Sequence, residues 1–154
     1  MPRIALDLLE PERIGARLRQ LRERSGLAQA TVARGAGIAP STLQHQESGR
    51  RLPSLTSLVA VCRQYQASPH WVLLGGRHRR TLRGPITADR VVVAQRVREL
   101  REAAGLAHHS VAEMAGIDTA TLSHLEQGRG GSPELLARVC VVLDVSVDAA
   151  LASG

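Results

Sequence analysis

The stretch Ala36-Gly37-Ile38-Ala39-Pro40-Ser41-Thr42-Leu43-Gln44-His45-Gln46-Glu47-Ser48-Gly49-Arg50-Arg51 decides how this chain is read, because much of it is written twice. Ala36-Gly37-Ile38 returns as Ala115-Gly116-Ile117, Thr42-Leu43 as Thr121-Leu122, and Glu47-Ser48-Gly49-Arg50 as Glu126-Gln127-Gly128-Arg129. Upstream, Arg17-Leu18-Arg19-Gln20-Leu21-Arg22-Glu23 returns as Arg96-Val97-Arg98-Glu99-Leu100-Arg101-Glu102, and Gly26-Leu27-Ala28 as Gly105-Leu106-Ala107. The offset is 79 residues up to Arg50 and 78 beyond it; between 14 and 50 the copies share 19 of 37 residues. Two copies are too few for a solenoid, so each unit reads as a small domain near the lower limit of what folds alone. The expected organisation is a first domain over 11–76, a basic Gly/Arg linker over 77–86 and a second domain over 87–154.

Within each copy the apolar spacing is helical. Ile14, Leu18 and Leu21 lie at i, i+4 and i+7, as do Val93, Val97 and Leu100. Gly26 and Gly105 stand where the first helix should stop. A short second helix is expected from about Gln29 to Ala36 and, after a Gly37 turn, a third from about Pro40 to Ser48. Proline suits a first helical position, where its missing N–H would be unpaired anyway, and Asp118 suits the cap of the matching helix. Leu55, Leu58, Val59, Cys62 and Tyr65 mark a fourth helix capped by Ser54, and Ser68-Pro69 opens a fifth carrying Trp71 and Leu74. No stretch reads convincingly as a strand.

Two short helices joined through Gly37, the second polar and followed by arginines, are the sequence form of a helix-turn-helix. With its landmarks LRxLRxxxGLxQ, AGI, STL, ExGRRxPS and a later Trp, the unit resembles the Cro/phage-repressor (XRE-like) helix-turn-helix family over about 14–75 and again over 93–151. The resemblance implies an all-α chain of two tandem five-helix lambda-repressor-like domains joined by a basic linker. It also implies a sequence-specific transcriptional regulator, a repressor, whose third helix lies in the major groove of double-stranded DNA. Carried over by position, the DNA-contacting residues would be Pro40, Ser41, Thr42, Gln44 and His45, with Gln29 bonding phosphate at the start of the second helix and Arg50 and Arg51 as phosphate clamps. Gln suits adenine N6/N7, and Ser and His suit several base edges, whereas Pro40 offers only apolar or steric readout. The matching pairs Arg22–Glu47 and Arg101–Glu126 would brace each third helix against the first. Three positions depart from the family pattern: Ala28 and Ala39 replace polar caps, and Gln46 replaces an apolar residue that the second copy keeps as Leu125.

The copies differ in charge. Residues 1–84 carry 14 Arg against 5 acids, a net +9, and residues 85–154 carry 6 Arg against 9 acids, a net −3, which together recover +6. Phosphate neutralisation supplies non-specific DNA affinity, so the first copy is suited to DNA and the second much less so. The second copy is expected mainly to dimerise or dock, because Val139, Val141, Val142 and Leu143 cover more than one helix face and require a cover. That cover would be the first copy, a second chain forming a homodimer through Val141, Val142 and Leu143, or a C-terminal helix containing Leu151. The competing reading is a second DNA reader using Thr119, Ala120, Ser123 and His124, with His108 and Arg129 near phosphate. The arginines of the connector, Arg77, Arg79, Arg80 and Arg83, suit either an arm along DNA or a solvated tether.

Composition narrows the remaining classes. All 20 basic residues are arginine, and Trp71 and Tyr65 are the whole aromatic complement, so a platform for stacking single strands is unlikely on composition. No apolar run approaches the roughly 20 residues that cross a bilayer, and the two cysteines form no CxxC. No phosphate-binding glycine loop, nucleophile–base pair or carboxylate cluster marks an enzyme, and no cofactor or metal is expected. His108-His109 lacks further ligands at suitable spacing. The expected setting is the cytoplasm, nucleoid-associated at prokaryotic operators. The alternative is an antitoxin or adaptor whose main partner is a protein and whose DNA binding is autoregulatory.

Overall fold

The structure, a computed structural model, describes residues 9–154. In chain order the helices are α1 (Pro11–Ser25), α2 (Gln29–Ala36), α3 (Pro40–Glu47), α4 (Leu55–Tyr65) and α5 (Pro69–Leu74), then α6 (Arg90–Ala103), α7 (His108–Ala115), α8 (Thr119–Glu126), α9 (Pro133–Leu143) and α10 (Val147–Leu151). The second five repeat the first five. Among the described residues no strand forms; extended pairing is limited to isolated bridges between Ala67 and Thr81 and between Ile86 and Ala152.

The helix boundaries have local causes. Pro11, Pro40, Pro69 and Pro133 occupy first-turn positions, where the ring replaces an N–H that would have no helical partner. Ser54, Ser68, Asp118, Ser132 and Ser146 each accept a backbone N–H of the turn they open. Gly37 ends α2 with φ 71°, a left-handed turn that a side chain would strain, and its N–H meets the carbonyls of Ala33 and Arg34. The sharp turn sets α3 across α2.

Each unit closes its own core with matching residues. Ile14, Leu18, Val32, Leu43, Leu58 and Val72 are buried in the first unit; their counterparts Val93, Val97, Val111, Leu122, Leu136 and Ala150 are buried in the second. Each large aliphatic side chain so buried contributes about 1.5–3 kcal/mol. In the first unit α1 runs close against the end of α3. A Cβ on Gly15 would stand 2.5 Å from the Gln46 carbonyl oxygen, which reserves that position for glycine.

The units also pack on each other. Helix α5 of the first lies against α9 and α10 of the second. Leu143 is buried, and Val141 and Val142 are half-buried against the core. Of the three covers the sequence allows for the valine-rich face, α5 of the first copy and α10 with its Leu151 both pack on α9. Across the boundary the Asp148 carboxylate accepts from the Ser68 hydroxyl and the His70 backbone N–H, both at 2.9 Å, and His70 Nδ1 accepts from the Val147 N–H at 3.0 Å.

The connector follows this boundary closely. Arg80 O accepts from Ser68 N at 2.7 Å and Gln66 O from Leu82 N at 2.8 Å; further on, Leu151 O accepts from Thr87 N at 2.8 Å. Arg63 donates to the Ile86 carbonyl, and Ile86 itself is buried. The Arg80 guanidinium stands 4.8 Å from the Trp71 ring centre, a cation–π contact. With its backbone polar groups bonded at both ends the segment is a strap fixed to both units, unlike a solvated tether.

Burial at this boundary, together with the neighbouring His78, holds the His70 imidazole down at about 4, against 6.5 for an unperturbed histidine, while Asp148 pulls weakly the other way. The unfolded chain therefore takes up the proton first, so stability is complete above about pH 6.5 and falls as pH drops towards 4. A urea midpoint that declines between pH 7 and 4.5, with a shallower decline in His70→Asn, is the expected result; identical declines in both proteins would contradict this role.

Candidate nucleic-acid interface

Helix α3 divides sharply between its two sides. Leu43, Gln46 and Glu47 are buried, whereas Pro40, Ser41 and Gln44 are exposed and Thr42 and His45 are half-buried. Pro40, Ser41, Gln44 and His45 fall at i, i+1, i+4 and i+5, which is one face of a helix. Arg50 and Arg51 follow in the next loop, both exposed. The second unit arranges Thr119, Ala120 and His124 as exposed residues, with Thr121 and Ser123 half-buried and Arg129 exposed after the helix. Ser123 is partly engaged, because its hydroxyl lies 3.1 Å from Gln127 Nε2.

Both helices are braced by the same buried ion pair. Arg22 Nε and Nη2 lie 2.8 and 3.0 Å from the Glu47 carboxylate, and Arg101 makes the same two contacts with Glu126 at 2.8 and 3.0 Å. The carboxylates are almost wholly enclosed, with side chains only 3% and 2% exposed, so each charge depends on its guanidinium. The bidentate hydrogen bonds with the carboxylates hold both arginines above their ordinary pKa. The same guanidinium groups reach the carbonyls of Leu27 and Leu106, tying the turn after the first helix into the brace.

The two residues expected near phosphate at the start of the second helices also contact the braced carboxylates. Gln29 Nε2 donates to Glu47 at 3.1 Å, and its counterpart His108 places Nε2 3.2 Å from Glu126. A buried carboxylate has more lone pairs than one guanidinium fills, and the residue opening the adjacent helix supplies a further donor. This leaves Arg50, Arg51 and Arg129 as the exposed cations after the two helices.

Gln46 reveals a paired exchange that reading one copy at a time missed. It is buried and its amide meets Ser57 Oγ, with Nε2 at 3.0 Å and Oε1 at 3.3 Å, so both polar groups are satisfied. Their counterparts are Leu125 and Leu135. The signal was present in the repeat, because the polar pair in one copy becomes an apolar pair in the other.

The helix openings differ as well. Ala39 offers α3 no side-chain cap, whereas the Asp118 carboxylate accepts the Thr121 N–H at 2.7 Å and so places a negative charge at the start of α8. Hydrogen bonding from the Thr121 side chain, and then from its backbone N–H, holds the Asp118 carboxyl below its ordinary range. Helix α3 therefore has a more open N-terminus towards an anion than α8 has.

Among the described residues, no cluster of three His, Cys, Asp or Glu side chains could hold a metal ion. Cys62 and Cys140 are buried, and desolvation raises both thiols, Cys140 to about 12, which makes them poor nucleophiles. Among the described residues no helix is long and apolar enough to cross a membrane.

Residues 13–72 and 92–152 each match the family model described as a helix-turn-helix domain. The chain belongs to the helix-turn-helix domain family. Its two helix-turn-helix domains place α2–α3 and α7–α8 as the paired motif helices. No curated protein matches the chain. Among solved structures it is similar to the restriction-modification controller protein C.AhdI from Aeromonas hydrophila, with 30% identity over 42% of this chain and 100% of that one, at a TM-score of 0.40.

Removing Glu47 should be far more costly than an exposed change on the same helix. Glu47→Ala leaves the Arg22 guanidinium without its partner and is expected to lower unfolding free energy by about 3–5 kcal/mol. Ser57→Ala strands the Gln46 amide and is expected to cost about 1–3 kcal/mol, whereas Gln46→Leu with Ser57→Leu, copying the second domain, should restore most of it. Denaturant titration of the four proteins checks both expectations; an unchanged midpoint for Glu47→Ala would contradict the brace.

Proposed function

We propose that the protein is a sequence-specific double-stranded-DNA-binding transcriptional regulator, acting as a repressor in the cytoplasm at operators. Helix α3 enters the major groove with its exposed face, and Ser41, Gln44 and His45 meet base edges while Pro40 and Thr42 shape the fit. Arg50 and Arg51 hold flanking phosphates, which sets register rather than sequence preference. The observation that carries this reading is the two-sidedness of α3: an anchored inner side, braced by Glu47, and an outer side left polar and open. The +9 balance of residues 1–84 supplies the attraction to a polyanion.

Gln29 and His108 support the interface at second hand, because they fix the carboxylates that hold the recognition helices. The protein-partner alternative lacks a comparable observation, since the apolar face that would have served it is occupied within the chain.

Anisotropy titrations with selected duplexes over a salt series test the reading. If roughly five phosphates are neutralised, log K falls with log salt at a slope of about −4 to −5. Arg50→Ala is expected to weaken every duplex about equally, whereas Ser41→Ala and His45→Ala change the preferred sequence. A salt-independent affinity, or sequence preference untouched by both α3 substitutions, would overturn it.

A further inference from the structure

We infer that one chain acts as a built-in dimer that reads a single asymmetric duplex with two unlike half-sites, α3 on one and α8 on the other. This rests on the DNA-reading role given to α3 above and extends it to α8.

The first argument is the symmetry of the internal boundary. In a two-fold contact, elements near the axis touch their own counterparts. Helices α5 and α10 are counterparts under the 78-residue offset, and they pack on each other. His70 and Asp148 are counterparts at the residue level, and the Asp148 carboxylate accepts the His70 backbone N–H at 2.9 Å. The symmetry is partial, since α5 also meets α9 and α4 makes no contact of that extent with α10. The groove that Thr42 and Gln46 of α3 border takes Pro53 and Ser54 of the first domain and Ser132 and Pro133 of the second into its lining. Ser54 and Ser132 are again counterparts, each capping the helix that follows its recognition helix. The strap between the domains is bonded to both, so this relation is built into the monomer.

A two-fold pair of helix-turn-helix domains presents two recognition helices to successive major grooves, about 34–36 Å apart along DNA. Separate identical chains must read identical half-sites. Covalent linkage removes that requirement, and the two copies have diverged where divergence changes readout. Pro40, Ser41 and Gln44 become Thr119, Ala120 and Ser123, while Thr42 and His45 are retained as Thr121 and His124. Supporting residues hold: Leu43 and Leu122, Glu47 and Glu126, Arg22 and Arg101, Arg50 and Arg129 are identical in type. The arginine that follows the recognition helix is kept as well and is exposed in both domains, as Arg50 and Arg129. The net charge of −3 over residues 85–154, with Asp118 at the opening of α8, assigns this domain the smaller share of phosphate attraction.

Selection of the intact chain on randomised duplexes, followed by native mass spectrometry of the complex, tests the inference. The expected result is one chain per duplex and a bipartite, non-palindromic site with half-site centres about 10 base pairs apart. Gln44→Ala should relax preference in one half only, and Thr119→Ala with His124→Ala in the other only, by about 5-fold or more per contacted base. All three positions lie on exposed or half-buried faces, and unchanged circular dichroism confirms that the variants fold. Two chains on a palindrome would overturn the inference, as would a single half-site indifferent to Thr119 and His124, and either would leave the role of α3 standing. Failure to enrich any sequence would overturn that role and this inference together.

Discussion

A carboxylate buried at the C-terminal end of a short helix is the constraint on which each domain depends. Glu47 and Glu126 are the last residues of α3 and α8, where the helix dipole already places negative charge, and both are almost excluded from water. Each is tolerable only with a guanidinium held in bidentate contact. That guanidinium comes from the first helix of the domain, so the pair fixes the angle at which the recognition helix leaves the core. Gln29 and His108 complete the solvation of the carboxylates from the second helix. Three helices thus converge on one charge, and the exposed face of the recognition helix is held at a defined orientation.

Much of this was legible because the chain states its plan twice. The shared Arg-Glu pairs, the Gly37 and Gly116 turns and the serine caps recur at fixed offsets, and recurrence separates structural needs from incidental surface charge. The helical period placed Ile14, Leu18, Val93 and Val97 in the cores where they lie. Less legible were contacts made between copies. Val141, Val142 and Leu143 read as a face in need of a cover, because periodicity reports which residues are apolar and says nothing about which of several elements covers them. The same limit applies to His70 and Asp148, whose hydrogen bonds join residues 78 apart and follow from the docking of α5 on α10. Gln29 and His108 show a different limit: an amide or imidazole at a helix start serves phosphate or a buried acid equally well, and the sequence does not reveal the contact each makes with its carboxylate.

The copies divide their labour by charge while keeping a common skeleton. Arg24, Arg34 and Arg63 of the first domain become Ala103, Glu113 and Val141 in the second, and Arg51 falls at the one-residue deletion. Arg63 also gained a boundary role, since it holds the carbonyl of Ile86 at the end of the strap. Its replacement by valine on the matching helix adds apolar surface where α9 meets α5. One substitution therefore both lowered the positive charge of the second domain and favoured its attachment to the first.

The most direct measurement of the central claim is a heteronuclear NMR titration of the intact chain with a duplex it prefers. The account predicts that the side-chain amide of Gln44 and the imidazole of His45 show the largest shifts and intermolecular contacts to base protons of the major groove, while the Gln46 side-chain amide, buried behind them, stays almost still. Base contacts confined to α1 or to the connector, with Gln44 and His45 unmoved, would contradict it.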